Sequence, residues 1–68
     1  RYGALTVEKD ITDKEVHLHL GNFYDQAYLM VRMNKGTPVR VTGGDLTQVA
    51  GNLYLLSAEQ EDVYIEFE

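Results

Sequence analysis

The stretch Glu15–Leu20, EVHLHL, alternates without a break: Val16, Leu18 and Leu20 fall on one side of an extended chain, and Glu15, His17 and His19 on the other. Successive side chains of a strand point to opposite faces, so this run reads as a half-buried β-strand with one face in a core and one in water. The same period recurs. ALTVE sets Leu5 and Val7 against Thr6 and Glu8, PVRVT sets Val39 and Val41 against Arg40 and Thr42, and DVYIEFE sets Val63, Ile65 and Phe67 against Tyr64, Glu66 and Glu68. GNLYLLS reads as a further, more apolar strand, with Leu53 and Leu55 on one face and Tyr54 and Leu56 on the other. The segments are rich in Val, Ile, Leu, Tyr and Thr, which suit a pleated, half-buried surface.

Residues 22–36 admit two readings. As a helix they would start with Asn22 as N-cap and end near Gly36. As a strand, AYLMVRM runs into the turn NKGT, and PVRV follows as the return strand of a hairpin. The short loop and the alternating partner favour the strand. TGGD (42–45) is expected to turn the chain, and SAEQED (57–62) to form a loose loop. The expected fold is all-β: a small SH3-like (or OB-like) barrel of five to six short antiparallel strands spanning residues 1–68 as one domain. Closure into a barrel would remove the exposed edges of so small a sheet.

Size and charge bound what such a domain does. A chain of 68 residues buries only about 60% of the surface its unfolded form exposes, so few buried polar groups are tolerated. With no cysteine, neither a disulfide framework nor a thiolate metal site can brace it, which fits a reducing, cytoplasmic (or nuclear) setting. No apolar run reaches the roughly 20 residues of a membrane span. The chain opens at Arg1-Tyr2 rather than on Met, so it is expected to be a fragment of a longer protein. Residues 1–40 carry six basic and five acidic groups, whereas residues 41–68 carry six acidic groups and no basic one, giving the net charge of −5. Affinity for nucleic acid rests on Lys and Arg neutralising phosphates, so DNA is not expected as a partner and RNA is possible but disfavoured. An acidic half suits a basic protein partner.

In KGTPVRVTGGDLTQVAGNLYLLSAEQEDVYIEF, Gly36 precedes the alternating Val39 and Val41, six residues separate Gly44 from Gly51, and Leu53 and Leu56 lead to a last alternating strand. This pattern, over residues 36–67, resembles the KOW motif of SH3-like domains in the NusG-type elongation factors and several ribosomal proteins. The resemblance implies an SH3-like barrel that contacts protein, and possibly RNA, within a transcription or ribosome-associated assembly. On physical grounds Gly44 would let the backbone bend sharply, and Gly51 would admit the second strand close to the first. LHLGNFYDQAYLMVRMNKGTPVRV is similar, in addition, to the OB-like soluble domain of the NfeD family of membrane-associated proteins.

Chemistry leaves few candidates. Neither a nucleophile elbow nor a phosphate loop is present, and the paired carboxylates of EQED (59–62) are expected in a polar loop, whereas acid–base work needs burial. No catalytic residue and no cofactor is expected. His17 and His19, two residues apart on one strand face, are the alternative metal ligands. Closing such a site would need a carboxylate from elsewhere, Asp13 or one of EQED. The expected reading is an exposed face and no metal. Tyrosine and arginine are enriched at protein interfaces, so Tyr24, Tyr28, Tyr54 and Tyr64 with Arg32 and Arg40 are candidate partner-binding residues forming one barrel wall. Glu59, Glu61 and Asp62 join them as contacts for a basic partner. The expected function is a non-catalytic, KOW/SH3-like interaction module. An acidic stand-alone domain, an inhibitor or structural subunit, and the NfeD-like OB domain are the alternatives.

Overall fold

A computed structural model of the chain describes residues 4–34 and 36–68. Seven strands run in order: β1 (Thr6–Ile11), β2 (Glu15–Gly21), β3 (Ala27–Arg32), β4 (Pro38–Thr42), β5 (Gly44–Ala50), β6 (Leu53–Ala58) and β7 (Asp62–Phe67). They form two antiparallel sheets, one ordered β1-β2-β7-β4 and one ordered β3-β6-β5. The ambiguous segment is a strand, β3, preceded by a loop in which Asn22 and Asp25 take positive φ. None of the described residues is helical, so no helix is long and apolar enough to cross a membrane.

Two expectations are corrected. The strand count is seven rather than five to six, because GDLTQVA, read as the spacer between Gly44 and Gly51, is itself strand β5. Its alternation is faint because only Leu46 among its apolar side chains turns toward the core, opposite Leu56, while Val49 lies exposed at a bulge between Gln48 and Ala50. The ladders also define two separate sheets among the described residues, in place of the closed barrel expected.

Connectivity explains the difference. Only β1–β2 and β5–β6 are hairpins between neighbours in sequence; the other four connections cross from one sheet to the other. PVRV is accordingly not the return strand of β3: β3 pairs with β6, and β4 pairs with β7. The chain between them passes the end of β7 at Gly36, where a side chain would collide with the Glu68 carbonyl. Lys35 of that turn lies outside the described residues.

The β4–β5 corner depends on two glycines. Gly43 sits at φ +93°, a region closed to most L-residues, and its carbonyl accepts from the Glu59 amide (2.9 Å). A Cβ on Gly43 would strike the Asp62 carbonyl, and one on Gly44 would strike that of Ser57. TGGD is therefore a sheet-switching bend rather than a reversing turn. Gly51, expected to allow a close approach, has open space around it and serves the β5–β6 loop through its φ of +54°.

The inner faces meet in one core. Leu18, Leu20, Met33, Leu56, Ala58, Val63, Ile65 and Phe67 are buried, and Val16, Leu29, Val31, Val41, Leu46 and Tyr54 pack around them. Side chains of this size contribute about 1.5–3 kcal/mol each when fully buried. The expected inward set of β2 and β7 is in place. On β4, however, Val39 falls at a bulge between Pro38 and Arg40 and is 59% exposed, so Val41 alone turns inward. Strand β1 lies at the end of its sheet with every residue exposed, Val7 included, and Leu5 just before it is exposed as well.

Candidate functional site

Alternation on β2 and β7 decides what the outer face of the four-stranded sheet displays. With Leu18 and Leu20 inward, His17 and His19 point outward; with Val63 and Ile65 inward, Asp62 and Tyr64 do the same. The antiparallel register then sets His19 opposite Asp62 and His17 opposite Tyr64. Strand β1 places Glu8 opposite His19 and Asp10 opposite His17 on the other flank. The result is a ladder of titratable groups across three strands.

Asp62 is its centre. One carboxylate oxygen, Oδ1, accepts from Nε2–H of His17 (2.9 Å) and from Nδ1–H of His19 (2.8 Å). An ionised carboxylate only accepts, so these contacts fix the tautomer of each neutral imidazole. The His17 ring also stacks on Tyr64, centroids 4.3 Å apart and planes 7° from parallel. The hydrogen bond that His19 donates to Asp62, reinforced by the charges of Asp62, Glu61 and Glu8, raises the pKa of His19 above 6.5. The two imidazole donors, His19 foremost, hold the Asp62 carboxyl below 3.8. These side chains remain 31–42% exposed, so the cluster is a surface feature in which the charged forms of His19 and Asp62 favour one another.

The sequence reading named EQED as one source of a carboxylate that could meet the histidines, and Asp62 does meet them, as a hydrogen-bond acceptor. Among the described residues no group of three or more His, Asp or Glu side chains is arranged to hold a metal ion. Asp13 stays in the β1–β2 turn, which Thr12 organises by accepting from the Glu15 amide (3.1 Å).

The other partner-binding candidates do not converge on one wall. Tyr64 and Arg40 lie on the outer face just described, where Arg40 comes only within 3.9 Å of Glu66. Tyr54 points inward from β6 and packs against the core. Glu59 and Glu61 occupy the β6–β7 connection, where the Glu61 carbonyl accepts from the Leu20 amide (2.8 Å). Tyr24 stands in the β2–β3 loop, 87% exposed. Tyr28 and Arg32 belong to the outer face of the three-stranded sheet.

That second face differs in character, and sequence reasoning missed most of it. Tyr28, Met30 and Arg32 on β3 stand opposite Ser57, Leu55 and Leu53 on β6, which in turn face Asp45, Thr47 and Ala50 on β5. Tyr28 is 65% and Met30 56% exposed, and Leu53 and Leu55 are only half-covered. Arg32 is held in place by donating to Asn52 Oδ1 (3.1 Å), and Gln26 donates to Ser57 Oγ (3.0 Å). The doubly apolar character of LYLL was the available signal: a strand apolar on both faces covers a core with one and offers the other. At the β4–β5 corner an open depression of about 380 Å³ is walled by Val41, Leu46 and Tyr54, with Arg40 and Asp45 beside them.

No family model, no curated protein and no solved structure matches this chain.

Proposed function

We propose that the chain is a non-catalytic interaction module that binds a protein partner on the outer face of its three-stranded sheet. The observation that carries this reading is the apolar row of exposed Tyr28 and Met30 with half-buried Leu53 and Leu55, beside the tethered Arg32. Aromatic, Met and Arg side chains are the types enriched where proteins meet, and a small domain gains nothing in folding from leaving them uncovered. The SH3-like, KOW-type assignment, with a transcription or ribosome-associated setting, is part of the proposal. It is supported by the glycine and valine spacing of residues 36–67 and by two small antiparallel sheets joined through the Gly43–Gly44 bend. RNA contact is a minor element, limited by the net charge of −5.

A specific observation favours a second reading, an acidic module for a basic partner: Glu8, Asp10, Asp62 and Glu66 share the outer face of the four-stranded sheet. Photo-crosslinking in the native host separates the two. A crosslinker replacing Met30 is expected to trap a protein at high and low salt, whereas one replacing Thr42 is not. Adducts formed only from Thr42, and lost as salt rises, would transfer the reading to the acidic face.

A further inference from the structure

Among the described residues the two sheets end in four strands, β1, β4, β3 and β5, and an open strand end is a template for another strand. Three of them carry devices that discourage pairing. β1 turns Lys9 toward the inner side of the sheet, opposite Leu18. β4 begins at Pro38, which lacks an amide hydrogen, and bulges at Val39. β5 bulges at Val49. Only β3, AYLMVR, is free of proline, bulge and inward charge along its six residues.

Two-fold symmetry sharpens the contrast. When a strand pairs antiparallel with a copy of itself, the axis stands perpendicular to the sheet, so inner residues meet inner residues and outer meet outer. On β1 the central registers of this kind set Glu8 against Glu8, or Lys9 against Lys9 with Glu8 against Asp10. Like charges directly opposed are destabilising. On β3, centring the axis on Met30 sets Met30 against Met30, Leu29 against Val31 twice, and Tyr28 against Arg32 twice. Each pair is apolar or brings a guanidinium to an aromatic ring, and none opposes like charges.

We infer that this chain self-associates through antiparallel pairing of β3 with β3 of a second copy, in the register that places Met30 opposite Met30. The two three-stranded sheets then join into one of six strands, and the apolar rows on their outer faces become continuous. The contact is short, about 20 Å of strand, so association belongs at the weak end of specific interfaces.

The test uses the 68-residue chain alone, so its outcome is independent of whether the partner-binding reading holds. Sedimentation equilibrium over a concentration series is expected to show a species of twice the 7.7 kDa chain mass. Met30→Cys is expected to form a disulfide dimer under mild oxidation at least tenfold faster than Val39→Cys, an equally exposed position on β4. Met30→Lys, which sets two ammonium groups face to face at the axis, is expected to weaken association at least tenfold with an unchanged far-UV circular dichroism spectrum. A strictly monomeric chain, or equal crosslinking from both cysteine variants, overturns the inference.

Discussion

His19 donates through Nδ1–H to Oδ1 of Asp62 at 2.8 Å, across a register pair that joins two strands 43 residues apart in sequence. The same oxygen accepts from His17, so one carboxylate ties two side chains of β2 to the first residue of β7. Protonation therefore acts on the β2–β7 ladder at the middle of the larger sheet.

The pH dependence of stability follows from the directions of the two shifts. The folded-state pKa of His19 lies above 6.5, so its contribution is complete below about pH 6.5 and is lost as pH rises through the folded value. The folded-state pKa of Asp62 lies below 3.8, so its contribution is present above about pH 3.8 and is lost as pH falls through the folded value. Both operate between those limits. Denaturant midpoints measured from pH 3 to 9 are expected to peak in that window, with Asp62→Asn flattening the fall above pH 6.5. NMR titration of the same variant is expected to return His19 toward 6.5, and an unmoved His19 would sink the assignment.

The stack of His17 on Tyr64 is the second tie between these strands. Aromatic pairs contribute about 0.5–1.5 kcal/mol beyond the area they bury. Partial exposure of both rings argues for the lower half of that range. A double-mutant cycle with His17→Thr and Tyr64→Thr, read by urea unfolding, is expected to give a coupling energy of about 0.5–1 kcal/mol. Strictly additive losses would mean that the rings only lie side by side.

How much of this was legible depends on the range of the signal. Alternation is local, so the inward set Val16, Leu18 and Leu20, the inward set Val63, Ile65 and Phe67, and the outward histidines could all be read from single segments. Pairing is not local. Nothing within PVRV says that it joins β7 rather than the adjacent β3, and nothing within EVHLHL says that Asp62 will stand opposite His19. Bulges fail differently: one extra residue at Val39 breaks the period that the run VRV continues in the sequence. The apolar outer face was hidden for a related reason, since LYLL announces burial on both sides but only one side has a sheet to meet it.

Truncations in the core and at the surface should separate widely. Leu56 is fully buried at the centre of the three-stranded sheet, between Leu29 and Leu46 across the strands. Leu→Ala changes at such sites cost about 2–5 kcal/mol, a large share of the stability of any small domain. Leu56→Ala is expected to leave a chain that unfolds below 37 °C or at much reduced urea midpoint, while Val39→Ala shifts the midpoint by less than about 0.5 kcal/mol equivalent. Comparable losses at the two positions would contradict the bulge that turns Val39 outward.

The sheet-switching corner makes the most discriminating prediction, because its two glycines and Gly51 of the β5–β6 loop have different reasons for lacking a side chain. Gly51 meets only the conformational penalty of a positive φ, about 1–2 kcal/mol for an L-residue. Gly44 meets only a collision with the Ser57 carbonyl, since no positive φ is required of it. Gly43 meets both, with φ at +93° and the Asp62 carbonyl in the path of its Cβ. Asp62 is also the acceptor for both histidines, so displacing its backbone disturbs that cluster as well. The expected order of destabilisation on substitution by Ala is therefore Gly43 first and Gly51 last, with the NMR shifts of His17 and His19 moving in Gly43→Ala but not in Gly51→Ala. If Gly51→Ala proved the more damaging, the bend at Gly43 would not be the joint on which the two sheets turn.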